Sequence, residues 1–116
     1  MELEHREPLT QKVMKKVYLS GPMTGYENHN FSEFDRMTEK LEAFGYEVVN
    51  PASLSVDFNI ENPTRQDYYR KDIRALTYCD TILMLEGWER SHGAQFERYV
   101  ALELGLFIVY EEELYQ

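Results

Sequence analysis

Apolar residues follow two patterns along the chain: short continuous runs, and a recurrence at every third or fourth position. The short runs are bounded by Gly, Pro, Asn or Asp and predict β-strands. They lie at residues 16–20, 46–50, 80–85 and 106–110. Between them the helical spacing predicts helices over about residues 30–44, 64–78 and 91–104. The run at 80–85 is apolar without alternation, which indicates a strand buried on both faces.

Capping residues indicate where the helices begin and end. Asn30 with Glu33, and Thr64 with Asp67, have the capping-box spacing, in which two side chains satisfy free backbone N–H groups of the first turn. Glycines stand where the first and third helices should stop, at Gly45 and Gly105.

Three further expectations concern packing. The third helix should carry an apolar stripe of Phe96, Val100 and Leu104. Asp80, at the start of the third strand, is expected to accept loop hydrogen bonds. The acidic residues at 111–113 are expected to form a solvated tail.

The alternation of strands and helices predicts a parallel sheet with right-handed crossovers. The expected fold is a small three-layer α/β/α sandwich with strand order 2-1-3-4, flavodoxin-like or Rossmann-like. It should occupy residues 16–116 as a single domain, preceded by a polar arm at residues 1–15.

Composition and charge narrow the classes of partner. The net charge of −9 weighs against nucleic-acid polymers and anionic membranes, since both attract a basic surface. The single cysteine, Cys79, excludes an internal disulfide and fits a reducing compartment. Without a signal peptide or a long apolar run, the chain is expected to be cytoplasmic. The histidines at positions 5, 29 and 92 lack metal-ligand spacing, so neither a metal nor another cofactor is expected.

The loops after the first and third strands should meet at one edge of this sheet. In a parallel sheet, ligands bind outside the carboxyl ends of the strands, where the strand order reverses. Ser91 and Gly93 open the third helix, whose free backbone N–H groups make an anion site. Glu97 lies deep enough in the helix for its side chain to reach the same pocket. An anion site beside a candidate carboxylate nucleophile predicts chemistry on a small phosphorylated or sugar-bearing molecule.

Several pieces of the chain together resemble the nucleoside 2-deoxyribosyltransferase superfamily. They are Tyr18-Leu-Ser-Gly-Pro-Met-Thr-Gly25, Asp72-Ile, Cys79-Asp80, Gly87-Trp88 and Ser91-x-Gly93-x-x-x-Glu97. The likeness covers roughly residues 16–110. It is nearest to a branch of small phage and bacterial members, similar to deoxynucleoside 5′-monophosphate N-glycosidases.

The resemblance implies a catalytic set drawn from three elements. Glu97 would attack C1′ of a deoxyribonucleoside and form a glycosyl–enzyme intermediate. Asp72 would assist the departing base by hydrogen bonding or proton transfer, and Tyr18 would orient the nucleophile.

The resemblance also separates members that bind a phosphate from those that bind free nucleosides. Members acting on free nucleosides tend to carry Asp where this chain has Ser91, whereas the monophosphate N-glycosidases carry Ser. The substrate-binding residues expected from this are Ser20, Gly21, Met23, Gly25, Ser91 and Gly93, with Trp88 as a candidate base-stacking wall. The loop at 21–25 contains no basic residue, which leaves a phosphate there with little positive charge.

Two other functions are compatible with the same residues. One is a nucleoside 2-deoxyribosyltransferase that exchanges bases, and the other is a non-catalytic protein that binds or senses a nucleotide. Each candidate residue also has an ordinary explanation: Glu97 as a solvated helix carboxylate, Ser91 as a helix cap and Asp72 as a surface ion pair. Homodimerisation is expected, with Tyr68 and Tyr69 as a possible interface.

Overall fold

A computed structural model of the chain describes residues 14–54 and 60–115. Its strands and helices are β1 (Lys16–Ser20), α1 (Phe31–Ala43), β2 (Glu47–Val49), α2 (Arg65–Leu76), β3 (Thr81–Met84), α3 (His92–Leu104) and β4 (Phe107–Tyr110). Short 3-10 turns lie at Glu27–Asn30, Pro51–Ser53, Trp88–Arg90 and Glu111–Tyr115. None of the helices in these residues has the length and apolar character that crossing a membrane requires. The predicted N-terminal arm lies outside the described residues, apart from its last two positions.

The strands form one parallel sheet in the order β2-β1-β3-β4, as the sequence predicts. Tyr18 on β1 pairs with Val49 on β2 and with Ile82 on β3. Because β1 and β3 are neighbours, the loops that follow them lie side by side at the carboxyl edge of the sheet.

Alternate side chains of the central strands enter two separate cores. On one side of the sheet, α1 packs against a core formed by Val17, Leu19, Phe34, Met37, Leu41, Leu83 and Leu85. On the other side, α2 and α3 pack against Tyr18, Leu76, Cys79, Ile82, Met84, Ala94 and Ala101. This confirms the predicted three-layer α/β/α sandwich with a Rossmann-like sheet.

The two predicted capping boxes have different outcomes. Thr64 and Asp67 satisfy each other's backbone groups at the start of α2, which confirms that prediction. The prediction for α1 is wrong. Asn30 has a left-handed φ of 64° and makes no side-chain cap. Its amide donates instead to Pro22 O at 2.9 Å, because the Glu27–Asn30 turn brings Asn30 against the loop after β1.

The predicted apolar stripe of α3 packs against the core through Val100 and not through its other two residues. Phe96 is 40% exposed and Leu104 is 51% exposed, whereas the buried face of the helix consists of Ala94, Glu97 and Ala101. The two alanines are small enough to let the helix lie close to the sheet. Phe96 and Leu104 therefore point outwards, and a carboxylate points inwards.

Acidic side chains bind backbone N–H groups at both edges of the sheet. The Asp80 carboxylate accepts from Lys16 N at 3.0 Å, as expected of a loop-stabilising residue. Glu111 accepts from Glu86 N at 2.8 Å and from Arg36 Nη2 at 2.8 Å. The interpretation of residues 111–113 as a solvated tail is therefore wrong for Glu111, which holds the end of the chain against β3 and α1.

Candidate active site

Glu97 is the buried carboxylate at the centre of the site. The residue is only 8% exposed on the sheet-facing side of α3. Tyr18 Oη donates to Glu97 Oε2 at 2.8 Å, and Ser20 Oγ donates to Oε1 at 2.5 Å. Tyr18 and Ser20 are two positions apart on β1 and so point to the same face of the sheet. Hydroxyl groups from the central strand therefore hold both oxygens of the carboxylate.

The pKa of Glu97 is raised to about 7, mainly because burial penalises the charged form. The hydrogen bond from Ser20 lowers this pKa, the negative charge of Asp72 raises it, and the bond from Tyr18 lowers it. Burial also raises the pKa of the Tyr18 phenol, which therefore remains a hydrogen-bond donor. A carboxyl group that titrates near neutral pH is available in its ionised form for nucleophilic attack.

Asp72 is the second carboxylate of the site. It lies on α2 and faces the same cavity as Glu97. Burial raises the pKa of Asp72, and the charge of Lys71 lowers it. Lys71 Nζ lies 3.1 Å from Asp72 Oδ1. The ammonium is off the direction of a hydrogen bond, so among the described residues Oδ1 has an ionic partner and no hydrogen bond.

A cavity of about 1140 Å³ lies against the two carboxylates, which is ample for a nucleotide. One wall of the cavity is largely apolar and aromatic. It is formed by Met23, Phe31, Phe34, Pro51, Ala52, Tyr68 and Tyr69. Such a wall suits the flat faces of a nucleobase. Within the described part of the chain, no group of three or more His, Cys, Asp or Glu side chains could hold a metal ion.

The start of α3 forms another end of the cavity. Ser91 caps the helix, since its Oγ accepts from Ala94 N at 3.1 Å. The amides of His92 and Gly93 follow in the first turn, where helix geometry provides no carbonyl acceptor. Gly93 lies against the ring of Tyr69. A Cβ added at Gly93 would stand 3.5 Å from a carbon atom of that ring. This end of the cavity can therefore hold an anion through backbone groups.

The positive charge that the loop at 21–25 lacks comes from other elements. Arg90, in the turn before α3, and Arg65, at the start of α2, both line the cavity. Arg90 Nη2 lies 3.4 Å from Tyr26 Oη, so the loop after β1 contacts this side chain. Sequence reasoning missed both arginines, although the position of Arg90 next to Ser91 was a signal that could have identified it.

The remaining predicted residues lie in three different places. Gly21 and Met23 line the cavity, and Gly21 also packs so closely on Leu85 that an added Cβ would stand 2.8 Å from it. Gly25 has a φ of 84° at an exposed turn and is not among the described lining residues. Trp88 is not among them either. Its ring packs 5.7 Å from that of Tyr110, on the other side of the loop.

Comparison with known proteins provides a family and a fold. The family model described as "Domain of unknown function (DUF4406)" matches residues 15–110. Among solved structures, the 2-desoxiribosyltransferase from Leishmania mexicana is similar, with a TM-score of 0.64 and 18% identity over 83% of this chain. The chain covers 63% of the length of that protein, and a likeness at this identity shows the fold alone. Curated proteins give no match by sequence.

Proposed function

The chain belongs to the family described as a domain of unknown function (DUF4406), and we propose that it hydrolyses the N-glycosidic bond of a deoxynucleoside 5′-monophosphate. The observation that carries this proposal is the environment of Glu97. Its carboxylate is buried, is held at both oxygens by hydroxyls and has a pKa of about 7. A solvated helix carboxylate has none of these properties. The resemblance to the deoxyribosyltransferase superfamily supports the same chemistry.

The first step of the proposed reaction is attack by Glu97. An ionised carboxylate oxygen bonds to C1′ while the C1′–N bond breaks, and the electron pair of that bond leaves with the base nitrogen. Asp72, on the same cavity wall, donates a proton or a hydrogen bond to this nitrogen. Tyr18 and Ser20 hold the attacking carboxylate in one orientation, which reduces the entropy lost in reaching the transition state.

The second step releases the sugar. Water attacks C1′, the bond to Glu97 breaks, and its electrons return to the carboxylate oxygen. Asp72, having given its proton to the base, takes one from the attacking water. The products are the free base and deoxyribose 5-phosphate, and both carboxyl groups are back in their starting states.

The start of α3 supports a monophosphate over a free nucleoside. The amides of His92 and Gly93 and the side chain of Ser91 suit phosphate oxygens. Arg90 and Arg65 line the same cavity and add charge-assisted hydrogen bonds. With the phosphate at this end, the sugar lies near Glu97 and the base against the aromatic wall.

Release of free base tests the proposal. Wild type, Glu97→Gln and Glu103→Gln are incubated with a panel of deoxynucleoside monophosphates and the matching nucleosides, and the products are separated by chromatography. Glu103 is an exposed residue of the same helix and serves as the matched control. We expect base release from monophosphates with wild type and Glu103→Gln, and none with Glu97→Gln.

The alternative functions give different results in the same assay. Base release only after a second base is added identifies a transferase, a possibility supported by the fold shared with a 2-desoxiribosyltransferase. Nucleotide binding without turnover in all three proteins identifies a binding or sensing protein and assigns Glu97 a structural role.

The outward side of α3 supports a homodimer as the assembled form. Phe96, Tyr99 and Leu102 are exposed there. Of the two tyrosines expected at an interface, Tyr69 instead stacks on Phe96, with ring centroids 5.3 Å apart, and lines the cavity. A second copy covering this side of α3 would bury apolar surface next to the site.

A further inference from the structure

Lys71 joins two parts of the cavity lining, the Pro51–Ser53 turn with Leu54 and the Asp72 carboxylate. Its Nζ donates to Pro51 O at 3.1 Å and to Leu54 O at 3.1 Å. The same atom lies 3.1 Å from Asp72 Oδ1, and the Lys71 side chain is only 14% exposed. Two donors of the ammonium therefore bind backbone carbonyls, and its charge is paired with a carboxylate. Lys71 is accordingly not available as a free cation for a substrate phosphate.

The pairing of Lys71 with Asp72 is unusual for sequence neighbours. Adjacent side chains on a helix diverge by about 100°, so an i,i+1 pair does not normally meet. Here the lysine chain turns back because the carbonyls of Pro51 and Leu54 attract its ammonium. The Pro51–Ser53 turn and Leu54 form part of the cavity wall, so one cation contacts both this wall and a site carboxylate.

We propose that Lys71 is a positioning residue that fixes the Asp72 carboxylate and the wall at residues 51–54 as one unit facing Glu97. For its effect on catalysis, this inference rests on the proposed function.

The electrostatic consequence follows from the groups that face the two carboxylates. Tyr18 and Ser20 approach from β1, and Asp72 and Lys71 approach from α2. Lys71 is the only cation that lowers the pKa of both Glu97 and Asp72 among the described groups. Removing its charge leaves the buried Glu97 and the partly buried Asp72 with less compensating positive charge, so both should hold their protons to higher pH. Because the two groups interact, the titration belongs to the pair.

The decisive measurement is the carbon-13 NMR titration of the Glu97 and Asp72 carboxyl carbons, which requires no catalytic activity. Lys71→Gln removes the charge but retains a donor for the wall carbonyls, and Lys71→Arg retains the charge. Lys40→Gln is the matched control, since Lys40 lies on α1 over the ring of Tyr115, 3.9 Å from its centroid. We expect the midpoints of the titrations to move to higher pH in Lys71→Gln and to stay in place in Lys71→Arg and Lys40→Gln. Unmoved titrations in Lys71→Gln overturn the proposal.

Kinetics supply the second readout. The acid limb of the plot of kcat/KM against pH should move to higher pH in Lys71→Gln. At pH values above the shifted limb, kcat should recover. A purely structural lysine would raise KM and leave the limb in place, which also overturns the proposal. If wild type has no turnover, the proposed function fails while the NMR titration still decides the role of Lys71. Circular dichroism checks folding, and Lys71→Met replaces the Gln variant in both measurements if that variant is unfolded.

Discussion

Tyr18 and Glu97 are 79 residues apart in the chain, yet Tyr18 Oη donates a hydrogen bond to Glu97 Oε2 at 2.8 Å. The bond forms because Tyr18 is on the central strand and faces the side of the sheet that α3 covers. A slip of β1 by one residue would turn Tyr18 and Ser20 towards α1 and leave the carboxylate without both donors. The orientation of the candidate nucleophile is therefore a property of the sheet register.

Glu97→Gln should stabilise the protein above neutral pH. The folded state keeps a proton on Glu97 up to a pKa of about 7, whereas the unfolded carboxyl group loses it near 4.5. The free energy of unfolding of wild type should therefore fall by at most roughly 3 kcal/mol as pH rises between these values, and then level off. Urea unfolding at a series of pH values measures this, and the Gln variant should lack most of the slope. A Gln variant less stable than wild type at alkaline pH would contradict the burial argument.

Ser20→Ala and Tyr18→Phe should both raise the pKa of Glu97 above about 7, because each removes a hydrogen bond to the ionised form. Ser20→Ala should raise it further, since the Ser20 bond lowers this pKa more than the Tyr18 bond does. The acid limb of the pH–rate profile measures both shifts. A larger shift in Tyr18→Phe than in Ser20→Ala would contradict this order.

Arg90→Gln should weaken the binding of monophosphates specifically. Loss of one charge-assisted hydrogen bond costs enough to raise KM by about 10- to 100-fold. Activity on the matching nucleosides should change little, because they carry no phosphate. Arg74→Gln, on the exposed part of α2, is the control. Equal losses on both classes of substrate would place Arg90 outside the phosphate site.

Trp88→Phe should lower stability without changing substrate affinity. Trp88 packs against Tyr110 and lies under the guanidinium of Arg98. The central guanidinium carbon is 5.1 Å from the centroid of the Trp88 ring. Losing part of this packing should cost about 1 kcal/mol in the free energy of unfolding. Thermal unfolding and KM together measure the outcome. A rise in KM at unchanged stability would restore the sequence-based expectation that Trp88 stacks on the base.

Tyr99→Glu should separate the proposed homodimer. It places a charge in the middle of the exposed apolar side of α3, where Tyr99 is 61% exposed. Light scattering after size-exclusion chromatography should give a dimer mass for wild type and a monomer mass for the variant. Phe44→Glu is the control, since Phe44 is exposed at the end of α1 on the other side of the sheet. A wild-type monomer, or a Tyr99→Glu dimer, would contradict this interface.

Local patterns in the sequence were sufficient for the elements and their order. Strand and helix periodicity depends on neighbouring residues, and alternation of the two leaves few topologies for a parallel sheet. The caps at Thr64 and Ser91 were predictable for the same reason, since the interacting groups are three residues apart. The cap at Asn30 failed because this residue has a left-handed backbone in place of the extended one of an N-cap, and its amide nitrogen donates to Pro22 O, eight residues away.

The chain itself determined the strands, the helices and the carboxyl edge of the sheet as the place for a site, because these depend on short-range spacing and on strand order. Only the tertiary structure decided which side chains meet there. The rotation of α3 turns Glu97 inwards and Phe96 outwards, because packing on the sheet requires the small Ala94 and Ala101 at the contact. The charges of Arg65 and Lys71 on α2 and of Arg90 in the turn before α3 reach one cavity. Such convergence is set by register and helix packing, which no local pattern contains.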